Sequence, residues 1–290
     1  MDNKAEVRDF LVTRRARITP EQAGLPAWGG HRRVAGLRRE EVALLAGVSA
    51  DYYTRLERGN LAGVSEQVLD ALSDALRLDE AERTYLAELA RAASRPAGRA
   101  GRPRARIVRP SVHWLLDQMD STPAYVRNAR TDLLAASPLG RALYAPLFAD
   151  ERPNVLRFLF LNTDAGEFFI DRDAVAAQAV ATLRMASGEN PHDRSIAQLV
   201  GELSTRSDEF GRLWAAHDVR QHRTGTKRFH HPVVGDLTLS YESMALVADP
   251  GLVLNAYAAE PGSPSAEALD LLACWAAKLP ETPNSAGQLI

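Results

Sequence analysis

The sequence predicts two domains of different class, an all-α domain and then an α+β domain built on a five-stranded antiparallel sheet with helices on one face. Three observations carry that expectation. Up to Ala93 the apolar residues recur at three- and four-residue intervals, as on helix faces, whereas from Phe229 onward they alternate. Between the two regions, the stretch from Ser94 to Arg106 holds prolines, glycines and arginines but no acidic and no large apolar residue, so it reads as a linker. The charge balance also reverses: residues 1–106 hold 19 Lys and Arg against 15 Asp and Glu, and residues 107–290 hold 16 against 22. The expected boundaries are therefore 1–93 and 107–290, with 94–106 a basic linker.

In the first domain, Glu6 to Arg15 reads as a helix with Val7, Phe10 and Leu11 on one side. An irregular stretch, Ile18 to Ala35, carries Pro20, Gly24, Pro26, Gly29 and Gly30. From Gly36 to Gly59 the chain reads as two short helices joined by a tight turn. Val42, Leu45 and Ala46 are expected to line the inner face of the first, Gly47 to permit the reversal, and Ser49 to cap the second. In that second helix Tyr53 and Leu56 point inward and leave Ala50, Asp51, Tyr52 and Arg55 outside. Ser65 then caps a helix carrying Val68, Leu69, Leu72, Ala75 and Leu76, and Glu80 to Ala93 carries Tyr85, Leu86 and Leu89.

The order Val42-Ala43-x-x-Ala46-Gly47-Val48-Ser49-x-x-x-Tyr53-x-x-x-Glu57-x-Gly59 resembles the Cro/C1-type helix-turn-helix of the XRE family. The resemblance implies a second helix that lies in a DNA major groove. Ser49, Ala50, Asp51, Tyr52 and Arg55 are the candidates for reading bases, and Arg32, Arg33, Arg38 and Arg39 for holding phosphates. The basic balance of this half of the chain suits that role.

Beyond the linker, Val112 to Met119 reads as a helix, and Ala124–Asn128 and Thr131–Ala136 as two short strands around a turn. Ser137-Pro138 starts a helix through Leu143. The stretch from Asn154 to Val219 is mostly helical, with Val175, Ala179 and Leu183 on one face and Ile196, Leu199 and Val200 on another. Phe229–Val234, Leu237–Val247 and Leu252–Ala258 read as strands, separated by Gly235-Asp236 and Asp249-Pro250-Gly251. Ser263-Pro264 supplies a cap and a first-turn proline for a last helix through Leu279.

Composition narrows the function classes. At 46% hydrophobic and 25% charged residues, the chain has enough apolar surface for a large core. It has no run of 18 apolar residues, and Met1-Asp2-Asn3-Lys4 does not begin a signal peptide, so a cytoplasmic protein without a membrane partner is expected. The one cysteine, Cys274, permits no internal disulfide and is expected to be a small apolar residue buried in the last helix. His217, His222, His230 and His231 follow no zinc-site spacing, so no metal is expected. No nucleophile elbow, Walker loop or dinucleotide fingerprint is present, and no catalytic residue and no enzyme activity are expected.

Over nearly its whole length the chain resembles the MmyB-like helix-turn-helix regulators. The matching stretches are Gly36–Ala43, Val48–Glu57, Leu213–Arg220, His231–Leu237 and Ala259–Ser263. The resemblance implies a carboxy-terminal PAS-like domain that senses a small apolar ligand, a bound fatty acid or similar amphiphile. It further implies a homodimer on a palindromic double-stranded operator, with half-sites about 34 Å apart. Trp114, Trp214, Tyr241 and Tyr257 offer apolar surface for such a ligand. Arg130, His217 and Arg220 could meet its carboxylate, with Asn128 and the tyrosine hydroxyls as neutral donors. The competing expectation is a second domain that serves only dimerisation or protein contacts.

Overall fold

The structure is a computed structural model and describes residues 2–25, 34–94, 107–220 and 223–277 of the 290. The chain gathers into two compact units: residues 1–102 with 184–198 and 212–221, and residues 103–183 with 199–211 and 222–290.

The first unit opens with α1 (Asn3–Arg17), whose cap is the Asp2 carboxylate accepting from the Lys4 N–H at 3.0 Å. Val7, Phe10, Leu11 and Arg14 follow at helical spacing and all are buried. The expected helix pair is α2 (Arg39–Leu45) and α3 (Ala50–Glu57), with Ser49 Oγ accepting from the Tyr52 N–H at 3.1 Å. Gly47 makes the turn at φ 63°, in the left-handed region that a side chain would strain. One expectation fails: Leu45 is 36% exposed, and the inner stripe of α2 is Val42, Ala43 and Ala46. At 100° per residue Leu45 lies roughly a quarter-turn from the centre of that stripe.

Next come α4 (Glu66–Ala75), capped by Ser65, and α5 (Glu80–Ser94). Tyr53, Leu56, Leu72, Tyr85, Leu86 and Leu89 fill the core, each contributing about 1.5–3 kcal/mol by burial. Met185 and Val219, from beyond the basic stretch, pack into the same core. Gly188 lies so close to α5 that an added Cβ would sit 2.3 Å from the Tyr85 ring, so this approach needs a glycine.

In the second unit α6 (Pro110–Asp117) precedes β1 (Ala124–Arg127), β2 (Leu133–Ala136), α7 (Pro138–Leu143) and α8 (Ala145–Phe148). Five helices follow, α9 (Val155–Leu161), α10 (Ala165–Phe168), α11 (Arg172–Glu189), α12 (Arg194–Arg206) and α13 (Asp208–Ala215). Of these, α11 contributes residues to both units, changing over at Arg184. The chain then forms β3 (Thr224–His231), β4 (Gly235–Ala245), β5 (Val253–Ala258) and α14 (Pro264–Ala276). The five strands make one antiparallel sheet in the order β2-β1-β5-β4-β3.

Helices cover one face of that sheet, but not one face only. β3 and β4 alternate buried and exposed residues, whereas β1 is buried throughout. The reason is α6, whose Val112 and Leu116 pack with Ala124, Val126 and Leu254 on the second face. The β3–β4 turn also differs: it is Pro232-Val233-Val234, with Gly235 paired to His231 and Asp236 already in the strand. Proline has no N–H for a ladder, so the strand ends before it; at its other end β3 begins earlier than expected, with Thr224 paired to Glu242. Cys274 is exposed on α14 rather than buried.

Behind the sheet, Tyr144, Phe158, Phe168, Phe169 and Phe229 pack largely edge to face, with centroids 4.8 Å apart for Phe168–Phe169 and 5.7 Å for Tyr144–Phe229. Strand register sets Tyr125, Arg127, Asn255, Tyr257, Tyr241 and Lys227 on this same covered face.

Candidate functional site

On α3 the exposed side chains are Ala50, Asp51 and Arg55, with Tyr52 half-buried beside them. The Arg55 guanidinium stacks 4.9 Å over the Tyr52 ring, which steadies a long side chain that has no carboxylate partner among the described residues. Ser49 is spent on its capping bond, and its exposed position keeps the helix N-terminus open. Arg38 is exposed at the start of α2. Arg39 is placed differently: its Nε donates to Glu57 at 2.7 Å, and Arg15 donates to the same carboxylate at 2.8 Å. Burial opposes the charge of Glu57, but the bonds from Arg15 and Arg39 outweigh it and hold the carboxyl below its usual range. Arg39 therefore ties α2 to α3 as well as facing outward. Arg32 and Arg33 lie outside the described residues, as does most of the basic linker.

The residues proposed for a ligand are scattered. Trp214, His217 and Arg220 belong to the first unit. There the fully buried Arg184 stacks 3.9 Å over the Trp214 ring, donates to the Trp214 carbonyl and pairs with the Glu6 carboxylate. Tyr85 donates to Glu6 at 2.6 Å, and His217 Nδ1 lies 3.4 Å from it. Burial alone would raise the Glu6 pKa, yet the His217 hydrogen bond and the Arg184 charge bring it down to about 2. His217 sits at φ 53°, a left-handed conformation rare outside glycine, and Arg14 donates to its carbonyl at 2.5 Å. Arg220 is exposed. Of the other histidines, His230 pairs with Asp236 and His231 bonds the Ala142 carbonyl, while His222 lies outside the described residues.

In the second unit Trp114 is 67% exposed on α6. Asn128 and Arg130 both bind Asp132, at 2.7 and 2.5 Å, and so serve the β1–β2 turn. Tyr241 and Tyr257 are buried on the covered sheet face; they lie beside Lys227, but neither they nor the other residues expected to bind a ligand line the cavity of this unit.

That cavity is lined by Arg127, Thr131 and Lys227 with Gln178 and Thr182 of α11, and on its apolar side by Val155, Val175 and Ala179. Its volume is about 30 Å³, and one side opens to solvent. It is narrow, with room for the head of a ligand rather than its bulk. Arg127 and Lys227 are 7% and 6% exposed. Arg127 donates to Asn255 Oδ1 at 3.2 Å and weakly to the Asn128 carbonyl at 3.4 Å. Lys227 reaches the Tyr257 hydroxyl at 3.4 Å, with the Tyr241 and Tyr257 rings 5.3 and 5.9 Å away. Burial, and then the Arg127 charge, lower the Lys227 pKa to about 7.

Arg127 and Lys227 were not among the residues the sequence singled out. Their signal was there: alternation carried back from Phe229 places Lys227 on the covered face, and alternation from Tyr125 places Arg127 there.

No helix among the described residues is long and apolar enough to cross a membrane. Residues 108–272, more than half of the chain, match the family described as MmyB-like transcription regulator ligand binding domain. Residues 29–86 match a helix-turn-helix domain family. No curated protein matches the chain.

Proposed function

The chain belongs to the MmyB-like transcription regulators, a DNA-binding regulator with a ligand-binding domain, and on that premise we propose how it works. It reads a palindromic operator as a cytoplasmic homodimer, placing one α3 in each of two major-groove half-sites, and needs no catalysis. The observation that carries this is the α3 surface: a capped helix held on a buried core, with Asp51 and a steadied Arg55 facing outward. Arg38 and Arg39 at the start of α2 meet phosphates. The dimer contact falls on α6 and the residues just before it, where Trp114 and Leu115 of the helix are exposed at 67% and 50% and Ile107 ahead of it at 72%, a patch of large apolar side chains left to solvent.

Its effector is a fatty-acid-like amphiphile bound on the covered face of a PAS-like second domain. The adjacency of β1 and β5 in mid-sheet, the aromatic packing around Phe229 and the apolar wall of Val155, Val175 and Ala179 support that reading. The ligand must part this wall to seat its chain, since the cavity is narrow. α11 supplies Val175, Gln178, Ala179 and Thr182 to the wall and, further along, Arg184 to the Glu6 cluster, so displacing it would reach the first unit. For this to regulate, the ligand must bind the two arrangements of α11 with different affinity.

The test is to select operator sequences with the purified protein, then measure binding with and without fatty acids while extracting the folded protein for co-purified lipid. Selection should return a two-fold-symmetric site whose affinity changes with ligand. An asymmetric site bound by a monomer would sink the dimer, and lipid-free extracts with no ligand effect would sink the effector.

A further inference from the structure

The geometry points to a built anion seat in the cavity of the second unit, with Arg127 and Lys227 as the cations that receive the ligand's acidic head and Thr131 as its hydroxyl donor. This rests on the reading above that the domain binds an amphiphile, and it goes further by naming the charge and the residues that recognise it. Two cations lie within one cavity, both almost fully buried, and among the described residues neither has a carboxylate within ion-pair distance. What they do have is neutral: an asparagine oxygen, a backbone carbonyl, a tyrosine hydroxyl and two ring faces. Buried charges are ordinarily paired, and a strand interior would accept an apolar residue at either position.

A second, independent observation lies at the same place. Thr131 is 4% exposed, lines the cavity, and its hydroxyl is buried without a hydrogen-bond partner. It also holds φ 63°, a costly conformation for a β-branched residue. An unanswered donor and two unanswered cations around a narrow space describe a site for one compact group with two or three acceptor oxygens. A carboxylate fits it, because arginine and lysine donate most strongly to an anion. An alcohol or an ester head does not supply the charge. The seat thus selects acids over neutral lipids of the same chain length.

The experiment measures octanoate and 1-octanol binding to the full-length protein by calorimetry, for wild type and for Arg127→Met, Lys227→Met and Thr131→Val. The two methionine variants are chosen because removing an unanswered buried cation should not cost stability, so a loss of binding cannot be ascribed to unfolding. Circular dichroism melts check this for every variant. The expected result is that octanoate binds wild type at least about tenfold more tightly than octanol, and that each methionine variant loses about tenfold to a hundredfold in octanoate affinity while its octanol affinity stays put. Thr131→Val should lose less. Octanoate binding near neutral pH should also take up protons, seen as a dependence of the measured heat on the buffer. Equal binding of acid and alcohol, or methionine variants that keep wild-type octanoate affinity, overturns the seat and leaves an amphiphile site elsewhere. If neither compound binds wild type, the amphiphile reading falls, and the seat falls with it.

Discussion

Each unit buries a cluster of charge, and the two clusters differ in how their cations are answered. In the first, Arg184 meets the Glu6 carboxylate, the Trp214 carbonyl and the Trp214 ring, and Tyr85 and His217 complete the partners of Glu6. In the second, Arg127 and Lys227 meet only neutral groups. A fold that needed only stability would not keep two such cations, since each carries a desolvation penalty of several kcal/mol. The first cluster reads as structure and the second as a site open to a charge from outside. The same distinction sorts the arginines of the DNA face: Glu57 answers Arg15 and Arg39, while the guanidinium groups of Arg38 and Arg55 form no ion pair among the described residues, the Glu41 carboxylate meeting only the Arg38 backbone N–H.

The largest effect should come from breaking the answered cluster. Glu6→Gln leaves Arg184 buried beside a neutral amide, and the expected loss is about 3–5 kcal/mol of unfolding free energy at pH 7. The pH dependence has a definite sign. Glu6 falls from 4.5 to about 2 on folding, so its contribution is complete above pH 4.5 and is lost as pH falls toward 2. Denaturant melts across that range should show a slope in wild type that the variant lacks. A loss below about 1 kcal/mol would mean that Arg184 finds another partner and that the contrast between the clusters is overdrawn.

Lys227→Met should go the other way. Its pKa drops from 10.5 to about 7 on folding, so below pH 7 the buried charge costs its full penalty, and stability recovers as pH rises from 7 toward 10.5. Among the described residues the charged group beside it is Arg127 on β1; its other neighbours, Tyr125, Tyr241 and Tyr257 on β1, β4 and β5 and Gln178 and Thr182 of α11, are uncharged. The variant should be more stable than wild type by about 1–3 kcal/mol at pH 7 and should lose the alkaline rise. A destabilised Lys227→Met protein would place Lys227 with Glu6 among the structural groups.

How much of this was legible in sequence follows from range. Ser49, Ser65, Ser137 and Ser263 were readable as caps because a cap is settled within three residues. The sheet was readable from alternation and turn residues, though Pro232 was needed to place the β3–β4 turn. What sequence could not give was partnership across the chain. Trp214 and His217 looked like ligand contacts because their helix face is apolar, but what they meet is Arg184 and Glu6, more than 170 residues apart in the chain. Arg130 looked free to bind a carboxylate, but Asp132 two residues on already holds it. Arg127 and Lys227 sit on strands with two others between them, and only the sheet order brings them to one cavity.

The DNA face offers a smaller test of whether unanswered cations mark binding positions. Arg55→Ala should lose about 1–3 kcal/mol of discrimination at one base position, the worth of a bidentate contact to guanine. Thermal stability should barely move, because Arg55 is exposed and only its stacking on Tyr52 is lost. Competition between the operator and its single-base variants measures this directly. Unchanged preference at every position would remove Arg55 from the reading face and leave Asp51 and Tyr52 to carry it.

The smallest effect separates neighbours. Arg38 and Arg39 adjoin in sequence and both are exposed enough to reach a phosphate, but Arg39 is tied through its Nε to Glu57. A cation that neutralises one phosphate contributes about 0.9 to the slope of log affinity against log salt. Arg38→Ala should therefore lower that slope by about one, equally on specific and random DNA. Arg39→Ala should lower it by less, because the negative charge of Glu57 already offsets part of the field that Arg39 presents. It should also cost some stability, as Glu57 is left with Arg15 alone. Titrations of both variants over a series of salt concentrations, with an operator and a scrambled duplex, resolve the difference. If the two slopes fall equally, the carboxylate behind Arg39 does not weaken its hold on phosphate, and whether a cation is answered in the free protein would decide stability on this face without deciding binding.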